Sequence, residues 1–167
     1  MELLTTILAY LHILSAMMWL GGAILFGFVI APGLSELKTS SVRDFYVTIA
    51  PRMIRFFQVV AGSTVLFGLL LVYIMTKYEG NSLSLTTGWG VDITIGSGLA
   101  ILALLVSEFM VGPAYGKLVR LHQGSPSDGS NPPPQLARLA RTAGAAAIVV
   151  LVLLLTTMAF MAAAGFY

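Results

Sequence analysis

With 167 residues, 57% hydrophobic and 10% charged, and a mean hydropathy of +0.91, the chain cannot build a water-facing surface, since soluble domains are about 25% charged. The length allows one compact unit, and the absence of Cys excludes disulfides, thiolate metal sites and thiol nucleophiles together. A net charge of +2 and a pI near 9.1 reflect scattered basic loop residues, with no basic stripe interleaved with aromatics, which excludes a nucleic-acid partner.

A hydrocarbon core about 30 Å thick takes about 20 apolar residues to cross, and four segments qualify. The first covers residues 3–30 and is expected to stop at Ala31-Pro32-Gly33. It opens on Glu2 rather than on basic residues, and its apolar run exceeds that of a signal peptide, so it reads as a span. Residues 35–50 mix Leu37, Val42, Phe45, Tyr46 and Ile49 with charged residues, the pattern of a short amphipathic helix on a membrane surface. The second span covers residues 52–76, following Pro51 and ending where Lys77 reaches the interface. Residues 78–91 carry Tyr78 and Trp89, side chains suited to the headgroup region. The third span covers residues 92–113, from Asp92 as N-cap to Gly112-Pro113. Residues 123–134, rich in Gly, Ser, Pro and Asn, read as a flexible loop. The fourth span, residues 136–164, follows Pro132-Pro133-Pro134. Runs such as residues 145–156 lack the alternation a barrel strand needs. The expected architecture is all-α, a single transmembrane domain built as a four-helix bundle.

Lys38, Arg43, Arg52 and Arg55 flank the first connection, and Lys117, Arg120, Arg138 and Arg141 flank the third, whereas the second has Lys77 alone. Cytoplasmic loops collect Lys and Arg. Both termini and residues 78–91 are therefore expected on the outer side of a prokaryotic cytoplasmic membrane.

Polar groups inside a bilayer are costly and usually purposeful. His12, Gln58 and Glu108 stand out, while Ser15, Ser63, Thr64, Ser97, Ser107, Thr156 and Thr157 can bond their own helix carbonyls. His12 lies roughly 10 Å inside the first helix at 1.5 Å per residue. Leu8, Ser15, Ala16, Trp19, Ala23 and Phe26 share its face. Small residues beside an imidazole, with an aromatic ring two turns away, leave space for a flat ligand, and neutral imidazole binds iron or copper. A neutral His bonded to a neighbouring helix is the other reading, and residue type and depth leave both open.

Met158 and Met161 fall at a depth comparable with His12, with Met75 nearer the same surface, whereas Met17 and Met18 point away. A thioether facing an imidazole makes a cytochrome-like haem pair, and several thioethers with an imidazole suit Cu(I). Packing alone also explains a Met in an apolar core. Glu108, on the inner half of the third helix, is expected to pair with Arg55 and so neutralise a costly charge, a proton relay being its other role. His122 is expected as an exposed loop residue about a membrane thickness from His12. No Walker loop, Rossmann fingerprint, HExxH or GxSxG motif is present. Gly21-Gly22, Gly62, Gly96 with Ala100, and Gly144 suit close helix approach.

The stretch from His12 to Gly22, with Trp19 seven residues after the His and then Gly21-Gly22, resembles the first-helix signature of the copper-resistance protein D (CopD) family. The HemJ-type membrane protoporphyrinogen oxidase family has a similar His, Trp and Gly arrangement followed by a Pro, here Pro32. Residues 50–55, leading to Gly62 and Gly68, resemble the start of the second helix in those proteins. The resemblance loosely covers most of the chain, and the first-helix motif is its specific part. It implies four spans and, from the oxidase family, haem b ligated by the first-helix His, which His12 matches. A third-helix Lys is functionally important in that family, and no Lys lies between Asp92 and Tyr115, so oxidase activity does not carry over.

The leading expectation is a haem-b-binding membrane protein engaged in electron transfer. His12 is its axial ligand, Met158 or Met161 the second, and Ser15, Ala16 and Trp19 border the cofactor. Copper transport along His12, Met158 and Met161, implied by the CopD resemblance, is the alternative. A structural subunit of a larger membrane complex is the third reading. Expected partners are the lipid bilayer, a membrane redox protein or quinone, and a second copy of the chain.

Overall fold

A computed structural model describes residues 2–124 and 134–166, so most of the loop expected at residues 123–134 lies outside the described residues. Four long helices make up the fold: α1 (Glu2–Glu36), α2 (Thr39–Tyr78), α3 (Gly88–Gln123) and α4 (Pro134–Ala164). No strand occurs among the described residues. All four helices are long and apolar enough to cross a membrane. Met17, Val59 and Ile148 are among many large apolar side chains left exposed on the bundle, a surface suited to hydrocarbon because the helices satisfy their backbone polar groups internally.

α1 packs along α2 and α3 along α4, and the two hairpins meet through contacts of α2 with α3 and α1 with α4. The start of α1 and the end of α4 lie at one end of the bundle, here the terminal end. Lys38, Arg43, Lys117 and Arg120 lie toward the other, basic end. At the terminal end Thr5 Oγ1 donates to Glu79 Oε1 at 2.8 Å, tying the start of α1 to the end of α2.

The prolines expected to bound the spans do not interrupt the helices. A helical Pro lacks the N–H that bonds four residues back, and its ring crowds that carbonyl. Here the turn before each one is widened to a π-turn, at Phe26–Ile30, Phe45–Ile49 and Ser107–Val111. The residue preceding each Pro then donates five residues back: Ala31 to Phe26, Ala50 to Phe45, and Gly112 to Ser107. With that relief the helix continues past Pro32, Pro51 and Pro113.

Two further corrections follow. The amphipathic helix expected at residues 35–50 is no separate element, because residues 39–49 form the first turns of α2. The first connection shrinks to Leu37 and Lys38, both extended. The N-cap of α3 is Thr87, whose hydroxyl accepts the Gly90 N–H at 3.1 Å, and Asp92 lies inside the helix.

Two apolar clusters hold the bundle. One joins Trp19, Val60, Ala61, Ala103, Val150 and Leu154 across all four helices. The second, toward the basic end, joins Tyr46, Ala50, Leu118, Val119, Leu136 and Ala143. His122 belongs to this second region rather than to an exposed loop: it sits in the last turns of α3, half-buried. Its ring stacks on Tyr46 at 4.3 Å, and its Nδ1 bonds the Leu118 carbonyl at 2.8 Å.

Candidate functional site

His12 is half-buried on the face of α1 that turns toward α2. Its Nδ1 lies 2.9 Å from the Thr64 carbonyl oxygen. A carbonyl can only accept, so Nδ1 carries the proton and donates, which in the neutral form of the ring leaves the lone pair on Nε2. No hydrogen-bond partner for Nε2 exists among the described residues, and the atom is not sealed from the outside.

The backbone of α2 admits the ring because Gly68, one turn beyond Thr64, has no side chain. A Cβ there would lie 2.8 Å from His12 Cε1, closer than real Cβ contacts come, and 3.0 Å from Nδ1. The Thr64 hydroxyl is turned along its own helix, donating to the Val60 carbonyl at 2.7 Å. Carbonyl, glycine slot and imidazole thus form one unit that fixes the ring's tautomer and direction. Metal-ligating histidines are oriented in this way, by the N–H of the nitrogen that does not bind metal.

The other residues expected around a cofactor are placed differently. Ser15 is buried, and its hydroxyl is satisfied within α1, by the Leu11 carbonyl at 2.7 Å and the His12 carbonyl at 3.0 Å. Ala16 is half-buried. Trp19 is 2% exposed and packs in the central cluster, so its ring is core rather than a wall beside His12. Met161 lies over Gly96 of α3, its Cε 3.0 Å and its sulfur 3.4 Å from a Cβ built there. Met158 is 58% exposed. The imidazole therefore meets α2 while the Met161 thioether meets α3, on the other hairpin.

The ion pair expected between Arg55 and Glu108 is not made. Gln58 Nε2 donates to Glu108 Oε2 at 3.1 Å instead. Gln58 lies about 4.5 Å further along α2 than Arg55, at three residues of 1.5 Å rise. Glu108 lies within the widened turn of α3, and the interlock of the two helices brings the amide level with it.

Glu108 and Gln58 border a cavity of about 250 Å³ lying between the two apolar clusters. Its wall draws on all three widened turns, through Phe26, Phe45 and Val111 among others, and on Gly144 and Ala147 of α4. π-turns inside α-helices are frequent at functional sites. The cavity was not foreseen. A sequence signal for it existed in the recurrent pairs Ala31-Pro32, Ala50-Pro51 and Gly112-Pro113, each marking a turn that must open.

Among the described residues no group of three or more His, Asp or Glu is placed to hold a metal ion. Comparison with models of protein families, with curated proteins and with solved structures finds nothing that matches this chain.

Proposed function

We propose that this chain is a multi-pass membrane protein that binds haem b through His12 and takes part in electron transfer. One observation carries the reading: the imidazole is held by the Thr64 carbonyl over the Gly68 slot, with Nε2 left unpartnered. The first-helix resemblance to HemJ-type proteins supports haem rather than another group. The gathering of Lys and Arg toward one end supports a cytoplasmic basic end with both termini outside.

Haem, when bound, supplies the one-electron chemistry of its iron. The chain's part is to present Nε2 in a fixed direction, hold the proton on Nδ1 and keep the surroundings apolar. These are the protein's means of tuning such a group. No second ligand is assigned, because Met161 is engaged with Gly96 and Met158 is exposed.

The test is an absorption spectrum of detergent-purified, haem-replete protein beside its His12→Ala variant. A Soret band that vanishes in the variant, with helical content unchanged, is the expected result. A band that survives the substitution refutes ligation by His12. Colourless protein carrying stoichiometric copper would move the reading to copper handling.

A further inference from the structure

The cavity between the clusters lies about two helical turns from His12, the separation of His12 from Trp19 along α1, roughly 10 Å. It is a different place from the imidazole slot, with its own chemistry. The wall is mostly apolar and aromatic, with Phe26, Phe45 and Phe57 contributing. Trp19, Ser107, Glu108 and Tyr115 are the polar contributors besides Gln58. None of the Trp19 indole N–H, the Ser107 hydroxyl and the Tyr115 phenol has a hydrogen-bond partner among the described residues. Gln58 holds one oxygen of Glu108, and the other is likewise without a partner there.

A pocket of this kind, apolar with a few convergent polar groups, is the usual form of a small-molecule site. On its wall half-buried Gly144 has open space where a Cβ would stand.

We propose that this cavity binds the ring of a lipid-soluble quinone. The indole N–H and the phenol O–H are donors suited to a ring carbonyl, and the free carboxylate oxygen is an acceptor suited to the hydroxyl of the reduced form. The aromatic side chains offer stacking faces. At about 250 Å³ the space suits a headgroup of one or two rings, with the tail left outside it. The assignment concerns binding alone. It stands or falls independently of haem at His12.

The chain's two tryptophans make the test direct. In a Trp89→Phe background Trp19 is the sole reporter, and menadione is titrated into the detergent-solubilised full chain while indole fluorescence is followed. Saturable quenching at one menadione per chain is expected. Filling the space with Gly144→Leu, or with Ala147→Leu should that variant fold better, weakens binding by about tenfold or more, as misfitting methylenes in an apolar pocket do. His12→Ala leaves the quenching unchanged, which separates this site from the haem reading.

Quenching that rises without saturation and is equal in both filled variants reports partition into detergent and overturns the assignment. Displacement of menadione by oleate at comparable concentration overturns it too, because the cavity would then be an acyl-chain pocket.

Discussion

Gly68→Ala is the sharpest perturbation the structure offers, because its two effects on stability oppose each other while its effect on ligation does not. The added Cβ stands 2.8 Å from His12 Cε1. Carbon atoms in ordinary contact are about 3.5–4.0 Å apart, so the ring must retreat by about 0.7–1.2 Å. The Nδ1 to Thr64 distance, 2.9 Å in the native protein, then passes the limit of a useful hydrogen bond near about 3.5 Å. That loss costs about 0.5–1.5 kcal/mol net. Replacing Gly by Ala inside a helix returns about 0.8–1 kcal/mol. The two nearly cancel, and at about 2–4 °C per kcal/mol for a chain of this size the midpoint of thermal unfolding should move by about 3 °C or less. Haem affinity, under the proposed ligation by His12, has no such compensation. Loss of the group that orients a ligating His typically costs about 10–100-fold. The assay is a haemin titration of purified apoprotein followed at the Soret band, beside thermal unfolding by circular dichroism. A Gly68→Ala protein that takes up haemin as tightly as the native one would refute the orienting role of the slot. One that unfolds many degrees early would refute the stability argument.

Trp19→Ala empties the middle of the central cluster and should lower unfolding stability by about 3–5 kcal/mol, measured by denaturation in detergent; a loss below about 1 kcal/mol would show that the indole does not hold the hairpins together. Gln58→Leu leaves Glu108 without its amide and should destabilise by about 1–2 kcal/mol. Arg55→Leu should be nearly neutral, and the reverse ranking in the same unfolding assay would restore the ion pair. Met161→Leu and Ser15→Ala should leave the Soret maximum and haemin affinity unchanged, since the thioether rests on Gly96 and the hydroxyl is bonded within α1. A shifted Soret maximum in Met161→Leu would assign that sulfur as second ligand.

The four long apolar helices were legible because the capacity to cross a membrane demands one thing of a sequence, an apolar run of sufficient length. Their ends were not. Pro32, Pro51 and Pro113 terminate a helix only when the carbonyl four residues back stays in place, and opening the preceding turn is a backbone decision that residue periodicity does not record. His12 stood out in the sequence by type and depth. Its partners Thr64 and Gly68 were visible individually, as a polar residue and a packing glycine, but their meeting with His12 depends on how α1 sits along α2. The same dependence misplaced Glu108: sequence put Arg55 and Glu108 near one level, and helix interlock selected Gln58. Trp19 was read as a cofactor wall from its spacing to His12, yet spacing along one helix says nothing about which neighbours close over the ring.

The second apolar cluster has a bearing on the cavity. Ala50 belongs to it, Phe45, Ile54 and Tyr115 pack against it, and all four also form part of the cavity wall. The chamber is thus bordered on its basic side by buried apolar packing. A ligand in the chamber would therefore rest on this cluster.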